Sequence, residues 1–262
     1  MSKKIFDCFK FFNEIELLHL RLMELNPVVD YFVIVESNKT HTGNPKEFIF
    51  EKNKELFKEY LDKIIHVKVD DLPVYSSDNI WVPENYQRNC IMRGLVDHAS
   101  IGDKIIVSDL DEIPNTDLIV NNIDNNEWVT FKQNLYYYYV NCKQNCLWDG
   151  PIMANYGTFQ SPQQLRNTAR HGYNSKFHGG WHYSFMGGPE RIRYKVENIA
   201  ESSLIIDNVG NPSEIESKMK NQTDLWNRTD DYAKKEIVDI TKDKPKSMDK
   251  FLELYPDFLY KK

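Results

Sequence analysis

The chain has 262 residues, 41% of them hydrophobic and 27% charged, and a formal net charge of -6. This is the composition of an ordinary globular chain, long enough for one large domain or two small ones. The acidic balance excludes a broad basic face for nucleic acid, and no apolar run reaches the length of a membrane span.

The N-terminal stretch MSKKIFDCFKFF starts basic and turns apolar, but Asp7 and Lys10 interrupt it and no small-residue cleavage site follows. It reads as a first strand, Lys4–Phe9, and not as an export signal. With no such signal the protein is expected to be cytoplasmic, with reduced thiols at Cys8, Cys90, Cys142 and Cys146. Cys8 and Cys90 sit in apolar stretches and read as core residues. Cys142 and Cys146 lack the flanking His or Cys of a zinc site.

Asn13 is expected to cap a helix in which Ile15, Leu18, Leu22 and Leu25 recur at helical spacing, with Glu14 and Glu16 in its first turn. Asn26-Pro27 ends it. Tyr31–Val35 is a second strand closing on Glu36-Ser37. Phe48–Phe50 reads as a short strand, Leu56–Ile64 as an amphipathic helix and Ile65–Val69 as a third strand. After a loop from Asp70 to Pro83, a helix is expected from Glu84 to Ala99, carrying Gln87, Arg88 and Arg93. Alternating strands and helices predict an α/β fold, with a doubly wound, mostly parallel sheet. Neither a dinucleotide-binding glycine motif nor a P-loop is present.

The next stretch, KIIVSDLDEIP, is a buried strand ending in Asp109, Asp111 and Glu112. Open α/β sheets bind ligands just beyond such strand ends. Crowded carboxylates repel unless a cation joins them, and hard oxygen ligands suit Mg²⁺ or Mn²⁺ shared with a substrate's phosphates. A metal–diphosphate site is therefore expected here. Asp109, Arg88, Arg93, Glu36 and Asn13 are assigned to binding the phosphorylated ligand, and Asp109 and Asp111 to the metal.

Beyond Pro114 the pattern changes. Trp128–Val140 is β-prone, Pro162–Arg170 is a short helix with Arg166 and Arg170, and Trp181–Phe185 is a strand between glycine pairs. Pro189 opens a helix to about Ala200. The polar segment from Ser202 wraps the core, with the apolar residues of Met248–Tyr260 docking on it. His182 could complete a metal shell or sit hydrogen-bonded in the core. Glu190, at a helix start, is the first candidate for a general base. Glu112, Asp149, Glu197 and Glu201 stand behind it. Trp148, Trp181 and Tyr138 are the expected sugar-binding surfaces.

The blocks DCFKFFNEIELLHLRLMEL, VVDYFVIVESNKTHTG, NYQRNCIMRGL, SDLDEIP and GGWHYSF with GGPE occur in this order. Together they resemble glycosyltransferase family 17, from about Ile5 to Ala200. The resemblance implies a GT-A fold, a UDP-sugar donor (UDP-GlcNAc), a glycan or glycolipid acceptor, a divalent Mn²⁺ or Mg²⁺, and inversion at the anomeric carbon. It places the family's aspartate pair at Asp109 and Asp111 and its Trp-His block at Trp181 and His182. A single domain over residues 1–262 is expected, with a nucleotide-sugar half to about 114, an acceptor half at about 115–201, and a wrapping segment at 202–262. The match is poor over Cys142–Ala169 and after Ser202, so the donor class is better specified than the acceptor. Two rivals start from the same residues: a HAD-type phosphatase and a sugar-binding module without catalysis. The first wants Thr or Val where this chain has Ile113.

Overall fold

Three apolar runs of the sequence, around Cys8, Val33 and Val107, lie side by side as parallel neighbours. The computed structural model describes residues 3–261. Its strands are β1 (Ile5–Phe11), β2 (Tyr31–Ser37), β3 (Ile64–Val69), β4 (Lys104–Asp109), β5 (Glu112–Pro114), β6 (Val129–Tyr137), β7 (Cys142–Asn155), β8 (Ser175–Lys176), β9 (Gly180–Ser184) and β10 (Lys235–Ile237). They form one ten-stranded sheet, with path β3-β2-β1-β4-β7-β6-β9-β5; β10 joins β7 and β8 joins β6. The first four strands of the path are all parallel. The next strand, β7, runs antiparallel to both β4 and β6, and the second half of the sheet is mixed. The architecture is α/β with a mostly parallel sheet.

Side chains alternate across each strand. On β1, Phe6 and Cys8 enter one core with Val33, Val107, Ile91 and Leu165. Ile5, Phe9 and Phe11 enter another with Leu18, Leu22, Phe32 and Ile106. Met248, Phe251 and Phe258, from the last stretch of the chain, are buried in that second core. Cys8, Cys90 and Cys142 are buried. No helix among the described residues is long and apolar enough to cross a membrane.

Several local expectations change. Phe48–Phe50 is not a strand: a helix runs over Ile49–Asn53, because the buried Glu36 carboxylate accepts the N–H groups of Ile49 and Phe50 at its start. Lys54–Lys63 is a 3-10 segment, not an α-helix. The helix expected over Glu84–Ala99 is two, Val82–Asn89 and Ile91–Leu95, meeting at Cys90. The segment after Ser202 holds helices Ser202–Val209 and Pro212–Lys220 before it reaches β10 and helix Met248–Leu254.

The glycine pair before Trp181 serves strand packing. Gly180 has φ +123, and a Cβ there would stand 2.1 Å from the Ile113 carbonyl oxygen. Only glycine lets β9 approach β5 this closely. That approach sets His182 directly opposite Glu112.

Candidate active site

Because β1, β2 and β4 are parallel neighbours, their carboxyl ends lie along one edge of the sheet. A pocket of about 230 Å³ opens there, with Lys10, Thr40, Asp109, Asp111, His182 and Lys195 in its wall.

The turn from Asp109 to Glu112 is held from behind by Arg21, a fully buried arginine of helix Ile15–Leu25. One Arg21 nitrogen donates to the carbonyls of Asp109, Leu110 and Glu112 at 2.9–3.0 Å. Its other nitrogens donate to Asp7 and to Ser108 Oγ. A guanidinium offers five donors in a planar fork, so one side chain can fix a whole turn.

Asp109 is enclosed by cations. Arg166 stands 2.8 Å from one carboxylate oxygen; Arg88 and Lys10 stand 3.2 and 3.3 Å from the other. Burial pushes the Asp109 carboxyl up, but Arg166, Lys10 and Arg88 outweigh it and hold the group well below the usual range. Glu112 is completely buried. It accepts two bonds from Arg166 at 2.7 and 2.8 Å, one from the Trp148 indole at 2.6 Å and one from the Asp109 N–H at 3.0 Å.

Asp111 lines the same pocket with fewer partners. One of its oxygens lies 2.9 Å from Lys195 Nζ, the other 3.5 Å from His182 Nε2. Burial raises this carboxyl too, and Lys195 and then His182 bring it below its ordinary value. Lys195 reaches a second carboxylate, Glu14, at 3.0 Å. Both carboxylates offset the burial of its ammonium and raise its affinity for the proton.

Among the described residues no three His, Cys, Asp or Glu side chains converge as a metal shell. The donor set still fits an ion that shares its coordination with phosphates. Asp111 and His182 are 3.5 Å apart, long for a hydrogen bond and short enough for both to reach one cation. His182 Nδ1 is buried with no partner, so no neighbour fixes the ring as a proton donor at Nε2. Asp109 does not fit a direct-ligand role, because its oxygens are taken by Arg166, Arg88 and Lys10.

The structure therefore brings Asp111 and His182 together and sends most other expected residues elsewhere. Glu190 is exposed and outside the pocket wall, so its assignment as the base is displaced. Glu112 is displaced as well, with four donors on its two oxygens. Glu36 is buried among Lys46, His66 and the helix start at Ile49. Asn13 is neither the helix cap, a position taken by Glu14 without a side-chain bond, nor part of the wall. Arg88 holds Asp109, and Arg93 is turned to Asp71 at 2.7 Å. Trp181 is buried with its indole on Asp243, and Tyr138 is buried with its hydroxyl on the Thr223 carbonyl. Neither presents a sugar-binding face. Trp148 has His182 at 4.7 Å and the Arg170 guanidinium 3.6 Å from its ring centre.

Residues absent from the expectations fill the wall: Lys10, Glu14, His41, Phe185 and Lys195. Lys10 had a signal, a lone cation at the carboxyl end of an apolar strand. Lys195 and Phe185 had none, since only the packing of helix Pro189–Asn198 brings them in. His41 Nε2 donates to Gln87 Oε1, 2.8 Å away, and burial pushes its imidazole down to about 4.

Residues 1–260 match the family model described as Glycosyltransferase family 17. Among similar proteins are the beta-1,4-mannosyl-glycoprotein 4-beta-N-acetylglucosaminyltransferases of Rattus norvegicus and Homo sapiens, each 29% identical over 122 residues, 45% of this chain and 23% of theirs. The Mus musculus protein of the same name is 25% identical over 230 residues, 75% of this chain and 43% of its own. The chain thus spans less than half the length of these relatives. With the family match running nearly end to end, the chain belongs to glycosyltransferase family 17.

Proposed function

We propose that this protein is an inverting glycosyltransferase of GT-A type, moving a sugar from a UDP-sugar to a hydroxyl of a glycan acceptor. The relatives' names favour GlcNAc as that sugar. The observation that carries the reading is Asp111, held between His182 and Lys195 in a pocket at the carboxyl end of β4. The parallel quartet β3-β2-β1-β4 followed by antiparallel β7 supports a nucleotide-sugar fold, whose ligands bind beyond strand carboxyl ends.

In this reading the nucleoside lies along the wall formed by Phe11, Phe12, Ser37 and Lys39–His41, and the diphosphate lies against Asp111, Lys195 and Lys10. Lys195 and Lys10 offset the charge that builds on the departing UDP. A divalent ion held by Asp111 and His182 would add Lewis-acid stabilisation of the same charge. Phe185 and Leu110 exclude water from one side of the pocket. The phosphatase alternative needs a free aspartate nucleophile at position 109, and three cations already hold that carboxylate.

The test is titration of UDP into the protein with and without Mn²⁺, followed by a panel of UDP-sugars scored for slow UDP release. Mn²⁺-dependent UDP binding and preferential release from UDP-GlcNAc are expected. Absence of UDP binding, or undiminished turnover in excess EDTA, would remove the reading as stated.

A further inference from the structure

We propose that Glu201 is the general base of this site, the group that takes the proton from the attacking acceptor hydroxyl; this rests on the glycosyltransferase reading above. Five carboxylates line the pocket: Glu14, Glu84, Asp109, Asp111 and Glu201. Four are in direct ion pairs. Glu14 and Asp111 share Lys195, Glu84 meets Lys10 and Arg88 at 2.6 Å each, and Asp109 meets Arg166, Arg88 and Lys10. Among the described residues Glu201 alone of the five has no cation within ion-pair distance.

A carboxylate fixed to a cation holds its charge and accepts a proton poorly. Glu201 has the opposite environment. It is half-buried, and its side chain does not cap helix Ser202–Val209, which it immediately precedes. Burial raises its carboxyl above the ordinary value, and Glu84 adds to the rise. The charges that act on it most are Glu84, Lys10 and Asp109. Neither Lys10 nor Lys195, the two cations assigned to the leaving diphosphate, is within ion-pair distance of Glu201. An inverting reaction needs a base free of the cations that hold the leaving group, since base and leaving group act on opposite faces of the sugar. His41 is a neutral proton acceptor in the same wall, but it is hydrogen-bonded to Gln87 and weakened by burial.

The step balances as follows. The acceptor oxygen forms a bond to the anomeric carbon while that carbon's bond to the diphosphate oxygen breaks, and the electron pair leaves with UDP. The hydroxyl proton passes to Glu201, which becomes a neutral acid and later returns the proton to water.

The experiment is Glu201→Gln in the full chain, checked for folding by thermal melting. UDP binding with Mn²⁺ is measured first, then UDP release from UDP-GlcNAc with water as acceptor, and again in sodium azide. Azide is already anionic and needs no base. We expect UDP affinity within a few-fold of wild type, UDP release slower by about 10²–10⁴-fold, and azide restoring release with a glycosyl azide as product. Release within tenfold of wild type, loss of UDP affinity, or a slowed variant that azide does not rescue would each overturn the assignment. Wild-type protein that binds no UDP would instead overturn the donor reading, and the base with it.

Discussion

Asp109 and Asp111 belong to one turn and line one pocket, yet Asp109 is tied to three cations and Asp111 to one lysine and a histidine. Around Asp109 and Glu112 the structure gathers Arg21, Arg88, Arg166 and the Trp148 indole, and nearly every oxygen has a donor. Around the Asp111 carboxylate there are only Lys195 and His182. The first region is a buried ionic frame, expensive to break because its charges have nowhere else to go. The second is the part of the same turn left able to exchange partners with a ligand. A precise site needs both, since the movable carboxylate is only as well placed as the backbone beneath it.

The contrast is broken most severely from the buried side. Arg166→Met leaves Glu112 buried without its two main donors and Asp109 without its nearest cation. A loss of about 3–5 kcal/mol is expected in urea unfolding. A loss no larger than that of a surface arginine would dissolve the distinction between the two regions.

Asp111→Asn tests the other side. Lys195 keeps Glu14 as a partner, so unfolding should change by only about 0.5–1.5 kcal/mol. UDP release from UDP-GlcNAc should fall by about 10²–10³-fold, because Asp111 would no longer hold an ion that offsets the developing charge. Destabilisation as large as that of Arg166→Met would make Asp111 another member of the frame.

Acid titration sharpens the comparison further. Asp109 and Asp111 are both held below their ordinary value of 3.8. Below that value the unfolded chain binds protons that the native carboxylates still refuse, so stability falls as pH falls. Their contribution is complete above the unfolded value and is lost as pH drops through the folded ones. Stability measured against pH should therefore decline more shallowly on the acid side in Asp111→Asn than in wild type.

The smallest effect has the opposite sign. The Glu201 carboxyl is raised above its ordinary 4.5, so its ionised form weakens the fold once pH rises through that value. Glu201→Gln should melt slightly higher than wild type at pH 7, with the difference vanishing near pH 4. A lower melting point at pH 7 would mean that Glu201 has a stabilising partner.

The place of the two aspartates at the end of β4 was legible because its signal is local: an apolar strand followed by acids. So was the β-strand carrying His182. Trp181 and His182 could not both face the site, since adjacent strand residues point to opposite sides, and the sequence already contained that objection. Glu112, Glu36 and Tyr138 were misplaced for a different reason. Whether a carboxylate meets a ligand or an arginine depends on pairings between residues far apart in the chain, such as Arg166 with Glu112. The same holds for Lys195, which reaches Asp111 across 84 positions. Arg21 was hidden within a helix read as a simple apolar stripe. No periodicity marks an arginine that serves three carbonyls of a distant turn.

The Trp148 indole, donating to Glu112 at 2.6 Å with its ring 4.7 Å from His182, gives the molecule a built-in spectroscopic probe. The chain has 5 tryptophans, so its indole N–H resonances can be assigned one by one. A short bond to a carboxylate shifts such a proton strongly downfield and shields it from exchange with solvent. The ring current of the same indole falls on the His182 protons. Ligand arrival at His182 is thus readable in two signals from one side chain, without a label in the pocket.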